Sequence, residues 1–381
     1  MKKILFYIVF ISVSLHAQTE MNLVDIMKYT IKSTHLEMDR DYWVSLPSDY
    51  DSANTYPVIY VLDAEVRFSI INALEKELST YGKIPPHIVV GITHPNRKLD
   101  MTFSTTKVRR TGQMDTITYS AQNSGNGSEF LNFIEKELVA EVNLKYSTNG
   151  FNILIGHSIG GYFCSYIMPT QKSFSALQIY DPSLWYSSGE AIDQIKNNLS
   201  REAKYSIFLS SSHNFEHQFT YHHKKMKELD RALKRFPAIR HEYKNYENEH
   251  HNSMYLHSFL DGMSMLYDGY ELQLGDWQTK ISTSSIEKHF EQFSEMIQFD
   301  FKPPMHLYLT AGMNNFYQKK YANCVEALTI YLNKNPHNAY ALELMGDAYY
   351  YLQEKEQSLM FYKKALERLP GNDRLKQKIE E

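Results

Sequence analysis

Cysteine is nearly absent: 381 residues hold two, Cys164 and Cys324. They lie in regions of different character, so no disulfide is expected and both read as small buried residues. A charge excess of either sign is lacking as well. The net charge of −4 gives no reason to expect nucleic acid or an anionic membrane surface as partner. Long apolar runs are missing too. The stretch Ile4 to Leu15, preceded by Lys2 and Lys3, is too short to cross a bilayer and reads as a secretory leader with cleavage near Ala17. No cysteine follows it to carry a lipid anchor. The expectation is export, periplasmic or secreted, with no membrane span in the mature chain. Metal-ligand spacing is also lacking. His213, His217, His222 and His223 cluster with Glu216, but they form no H-E-x-x-H arrangement and no complete ligand set.

What is present describes a globular chain with room for an α/β domain and a smaller one, at 43% hydrophobic and 22% charged residues. Tyrosine, at 29 residues, is frequent, which suits carbohydrate or aromatic ligands. Met27 to Ser33 and Tyr42 to Leu46 alternate as strands, whereas Val58 to Leu62 and His87 to Ile92 are continuous apolar runs of the kind buried in parallel sheets. A helix is expected from Asp63-Ala64-Glu65 to a C-cap at Gly82. Residues 94–126 are polar and long for a loop, and should overhang a site. Ser128 is placed to cap a helix with Phe130, Phe133, Ile134 and Leu138 inward. Strands Leu177 to Tyr180, Tyr205 to Leu209 and His241 to Tyr246 follow, with a helix Lys224 to Phe236 before the last. This alternation predicts a mostly parallel sheet with helices on both faces, and a site at the carboxyl ends of its strands.

The organising stretch is GHSIGG, Gly156 to Gly161, between the apolar run Phe151 to Ile155 and a helical pattern from Tyr162 to Met168. A strand, a tight turn and a helix around G-x-S-x-G present a serine hydroxyl at the top of a strained turn. The glycines relieve crowding between strand and helix. Ser158 is thereby the candidate nucleophile, and the Ile159 amide points to the same spot.

A serine hydroxyl needs a base to take its proton. In sheets of this kind the base follows the final strand, where His250 and His251 stand side by side, and spacing alone does not separate them. The acid that orients the base commonly follows the strand before. Glu216 is the carboxylate of that loop and the first choice, with Asp181, at the end of the preceding strand, second and a dyad with no acid the remaining alternative. A second oxyanion amide is expected after the third strand, at Glu65. Tyr162, Trp185 and Arg97 are candidates for the substrate pocket.

Beyond residue 270 the pattern turns helical. Ser284-x-x-Glu287 reads as a capping box for a helix with Ile286, Phe290, Phe293 and Ile297 inward. Two units then repeat with a 34-residue period, with Pro336 and Pro370 in equivalent places. Leu342, Met345, Gly346, Tyr349, Ser358, Tyr362, Ala365 and Pro370 match the tetratricopeptide pattern, while the first unit has Asn315 where an aromatic belongs. Two repeats rarely stand alone, so docking on helix 285–297 or on the α/β domain is expected. The division is a leader over 1–17, an α/β domain over 19–275, a bridging helix over 276–302 and a tetratricopeptide-like pair over 303–381.

Several segments, in order, resemble the esterase family of α/β-hydrolases that includes esterase-D-like enzymes, siderophore esterases, feruloyl esterases and mycolyltransferases. They are YPVIYVLDAE (Tyr56 to Glu65), the Arg97…Asp100 stretch, EFLNFIEKELVAEVNLKY (Glu129 to Tyr146), GHSIGGYF, YDPSLWY (Tyr180 to Tyr186) and ENEHHNSM (Glu247 to Met254). The resemblance implies an α/β-hydrolase fold and puts His251 in register as the base. It departs at Asn252 and Ala64, where glycine is usual. The expectation is a serine carboxylic-ester hydrolase acting through an acyl-enzyme, with Ser158, His251 and Glu216 catalytic and no cofactor or metal implied. Substrates would be small-molecule or polysaccharide-linked esters, and the repeats could take a protein partner. Acyl transfer on the same machinery, a peptidase, and a non-catalytic protein acting through its repeats are the alternatives.

Overall fold

A computed structural model describes residues 26–105, 122–213, 220–272 and 281–380. The leader over 1–17 and Glu216 lie outside them. Eight strands form one sheet: β1 (Met27–Ser33), β2 (Met38–Ser45), β3 (Tyr56–Val61), β4 (Ile88–Ile92), β5 (Thr148–His157), β6 (Ala176–Tyr180), β7 (Ser206–Ser212) and β8 (Arg240–Tyr246), in the order β1-β2-β4-β3-β5-β6-β7-β8. β2 runs antiparallel to both its neighbours and every other pairing is parallel. The continuous apolar runs became the central strands because both of their faces are covered. Along β3, Ile59 and Val61 enter the core on one face, while Val58, Tyr60 and the following Leu62 enter the core on the other.

On the face that takes Val58 and Tyr60 pack the short helices α2 (Arg97–Asp100) and α3 (Gly127–Asn132), a π-helical turn over Phe133–Leu138 and α4 (Val139–Lys145). With them lie α5 (Ile159–Ile167), α6 (Glu190–Asn198) and α7 (Thr220–Leu233). α1, spanning Ala64–Thr80, and α8, spanning Met254–Leu266, pack on the other face. The inward residues expected around residue 130 are all buried, but the helix starts at Gly127 with no side-chain cap from Ser128.

α9 (Thr283–Ile297) buries Ile286, Phe290, Phe293 and Ile297 as its periodicity predicts. Its cap differs from the expected box at Ser284 and Glu287: Ser282 and Ser285 exchange the capping hydrogen bonds, two residues earlier. Two hairpins of helices follow, α10 (Met305–Tyr317) with α11 (Tyr321–Lys334), and α12 (Ala339–Tyr351) with α13 (Lys355–Arg368), before α14 (Asp373–Glu380). Their buried residues share one continuous apolar core with α8 and α9. Asn315, the misfit in the sequence pattern, is buried and donates to the carbonyls of Ile281 (3.0 Å) and Ala311 (2.8 Å), tying α10 to the segment that leads into α9.

Candidate active site

The turn at residues 156–161 leaves no choice of residue at two places. A Cβ on Gly156 would lie 2.3 Å from the Gly160 carbonyl oxygen and 2.7 Å from Cys164 Sγ, and one on Gly161 would meet Pro182 at 2.9 Å. With strand and helix pressed this close, Ser158 takes φ 61° and ψ −116°, a conformation that L-residues rarely adopt and that an over-determined site can hold. The turn is tied to β6. The Ser158 amide donates to the Tyr180 carbonyl (3.0 Å), and the Ser183 amide donates to the Ser158 carbonyl (2.8 Å). Among the described residues the Ser158 hydroxyl bonds to Ser183 Oγ at 3.4 Å.

The turn after β8 separates the two adjacent histidines. His250 is exposed, and its Nδ1 faces the amides of Asn252 and Ser253 at the start of α8. His251 reaches inward, with Nδ1 2.7 Å from Asp181 Oδ2 and about a third of its side chain open to solvent. Its ring lies 4.4 Å from that of His157, the residue before the nucleophile, and its carbonyl meets His157 Nε2 at 2.6 Å. His251 is thus held beside the elbow by both its ring and its backbone. His157 is deeply buried. That burial, with the charges of His251 and Arg67, lowers its pKa to about 3, so it stays neutral while it supports the turn.

The acid is the principal correction. The place on His251 assigned to Glu216 is taken by Asp181, ranked second from the sequence; Glu216 itself lies outside the described residues. The reason is sheet order. β6 is hydrogen-bonded to β5, with Tyr180 opposite His157, so the residue after β6 emerges level with the elbow. Asp181 has no exposed side chain. Its carboxylate accepts from His251, from Ser212 Oγ (2.8 Å) and amide (3.3 Å), and from His222 Nε2 (2.8 Å). Burial works against its charge, but the bonds from His222 and His251 outweigh it and hold the carboxyl well below the usual range. An ionised carboxylate only accepts, so His251 Nδ1 carries the hydrogen of that bond, and in the neutral ring the lone pair lies on Nε2.

On the other side of the nucleophile strand, Asp63 ends the β3 segment at φ 58° and opens α1. The Ile159 and Glu65 amides sit in the first turns of α5 and α1, where N–H groups have no partner within the helix, and among the described residues neither donates to a backbone acceptor. Ala64 fits where glycine was expected because its neighbour Gly91 leaves room: a Cβ there would lie 2.9 Å from the Ala64 methyl.

The pocket candidates fare differently. Arg97 is occupied, with Nε 2.5 Å and a terminal nitrogen 3.0 Å from the Asp63 carboxylate, and a further bond to the His157 carbonyl (3.0 Å). Burial raises the Asp63 pKa but Arg97 more than offsets this, so the net shift is downward. Tyr162 is fully buried among Phe103, Tyr166 and Tyr186 and donates to Glu190; it does not line a pocket. Every residue of α5 except Tyr166 is buried, and Tyr162 has no exposed surface. Trp185 is half-buried, two residues after Ser183. Among the described residues no group of three or more histidine, cysteine, aspartate or glutamate side chains is arranged to hold a metal. The sequence reading missed Ser183, His157 and the use of His222. Their signal was position, next to the elbow or at the end of a neighbouring strand.

A strained serine at the end of a central parallel strand, an inward histidine after the last strand and a buried acid define the layout of a serine hydrolase. The sequence matches the family described as "Putative esterase" over residues 33–264, more than half of the chain, and the chain belongs to that family. Among solved structures it is similar to an IroE-like serine hydrolase from Shewanella oneidensis, at 25% identity and a TM-score of 0.68, over 82% of this chain and 99% of that one. It is similar in fold to an uncharacterised protein from Capnocytophaga ochracea, at 16% identity and a TM-score of 0.62, over 93% and 99% of the two chains. The siderophore hydrolase EstA from Aspergillus nidulans shares the fold at 17% identity and a TM-score of 0.54, over 70% and 100%. No curated protein matches the sequence. The protein is a carboxylic ester hydrolase with an α/β-hydrolase fold.

Proposed function

We propose that the protein is an exported serine esterase that works through an acyl-enzyme on Ser158, with His251 as base and Asp181 as the acid behind it. The 2.7 Å contact of His251 Nδ1 with Asp181 carries this reading, because it leaves Nε2 able to take a proton. Ser158 Oγ attacks the ester carbonyl while His251 Nε2 removes its proton. The Ile159 and Glu65 amides stabilise the oxyanion, and His251 returns the proton to the departing alcohol. Water then enters and the same groups, in reverse order, release the acid. The bond between Ser158 and Ser183 is compatible with this, since catalytic hydrogen bonds often tighten only with substrate bound. The substrate is a small-molecule or polysaccharide-linked ester. Export rests on the leader-like residues 1–17. The helix pairs α10–α11 and α12–α13, whose first residues are offset by 34 (305 to 339, 321 to 355), support a tetratricopeptide surface for a protein partner.

The test is hydrolysis of p-nitrophenyl acetate and butyrate by the mature chain beside Ser158→Ala and His251→Ala. Turnover with an initial burst in the wild type, lost in both variants, is the expected result. Turnover that survives Ser158→Ala would remove the acyl-enzyme from the account.

A further inference from the structure

His222 is the third residue of α7 and 4% exposed. Its Nε2 lies 2.8 Å from Asp181 Oδ1, while the other oxygen of the same carboxylate holds His251. An ionised carboxylate cannot donate, so His222 Nε2 carries the hydrogen and gives it to Oδ1. The helix that delivers this ring is fixed in the core through Met226, Leu229 and Leu233, all fully buried. The carboxylate torsion of an aspartate is broad, and an oxygen held only on one side leaves the group free to swivel. Here each oxygen is tied: Oδ1 to His222 and the Ser212 amide, Oδ2 to His251 and the Ser212 hydroxyl.

We propose that His222 is a positioning residue: it clamps the far oxygen of Asp181 so that the near oxygen meets His251 Nδ1 with the base aimed at Ser158. The proposal rests on the esterase reading above. It assigns His222 no contact with substrate, so its removal is read in turnover and not in binding.

The experiment compares kcat and KM for p-nitrophenyl butyrate among wild type, His222→Ala, His222→Gln, Asp181→Asn and the double variant Asp181→Asn/His222→Ala. A displaced base loses rate steeply with distance, so His222→Ala should lower kcat about 10- to 100-fold with KM nearly unchanged. His222→Gln, whose Nε2–H can stand where the imidazole N–H stood, should recover most of that loss. In the Asp181→Asn background His222→Ala should add little, because the two act as one unit. Wild-type kcat in His222→Ala, no rescue by glutamine, or a full multiplicative loss in the double variant would each overturn the proposal. If His222→Ala does not fold, glutamine against leucine at the same position gives the same contrast of donor with no donor. A wild type with no turnover and no fluorophosphonate label on Ser158 would defeat the esterase reading by itself. The clamp is then judged by nitrogen-edited NMR of the His251 Nδ1–H resonance, which must move in His222→Leu and stay near its place in His222→Gln; an unmoved signal overturns it.

Discussion

Asp63 and Asp181 end the strands on either side of β5, and they make a matched pair. Both are buried, both take a left-handed corner (φ 58° and 39°), and both have their pKa held down against the effect of burial. They differ in what holds them. Asp63 is met by Arg97, a permanent cation that also grips the His157 carbonyl, so this corner is a fixed brace under the elbow. Asp181 is met by two imidazoles, those of His222 and His251, each bonded through one ring nitrogen to a different carboxylate oxygen. One backbone corner thus faces a permanent cation and the other a pair of imidazoles, one of which stands beside the elbow.

The comparison can be broken most forcefully at the reacting groups themselves. Ser158→Ala and His251→Ala should each lower kcat by at least about 10⁴-fold, whereas His250→Ala, on an exposed turn residue, should stay within a few-fold. Steady-state turnover of p-nitrophenyl butyrate checks all three. The brace side should answer in stability. Arg97→Met leaves the Asp63 carboxylate buried without its cation. The expected loss is about 2–3 kcal/mol in urea unfolding, short of a wholly buried pair because Arg97 keeps 36% of its side chain in solvent. A midpoint unchanged from wild type would mean that the brace carries no weight.

A further effect is in pH. The folded state lowers the His157 pKa from 6.5 to about 3. Between these values the unfolded chain binds a proton that the folded one refuses, so stability must fall as pH is lowered through that window and be flat from this source above it. Asp63 and Asp181, depressed below their ordinary 3.8, add a further loss at lower pH. Thermal melts against pH should show this decline, and His157→Gln should flatten its upper part. A wild-type Tm independent of pH between 6.5 and about 4 would contradict the buried neutral histidine.

Much of this arrangement was legible in the sequence, and the misses share a cause. Apolar runs such as Val58 to Leu62 mark central strands because a two-sided burial has no polar alternation to disguise it. G-x-S-x-G marks the elbow because its glycines are sterically required, as the 2.3 Å clearance at Gly156 shows. His251 followed from its register with the esterase family. Asp181 ranked second because chain order says nothing of which strand lies beside the nucleophile, and only the pairing of Tyr180 with His157 puts it there. Tyr162 was misread for a related reason. Periodicity gives the faces of α5 but not that the one carrying Tyr162 would be covered. Asn315 looked like a defect in a repeat and proved to be a polar tie to the preceding segment, which no repeat pattern encodes.

The most direct measurement sets Asp181→Asn beside Glu216→Gln and reads kcat for p-nitrophenyl butyrate. The account predicts that Asp181→Asn lowers kcat by about 10³- to 10⁴-fold, as expected when the base loses the partner that fixes its tautomer, and that Glu216→Gln stays within a few-fold of wild type. Near-normal turnover in Asp181→Asn together with collapse in Glu216→Gln would contradict it.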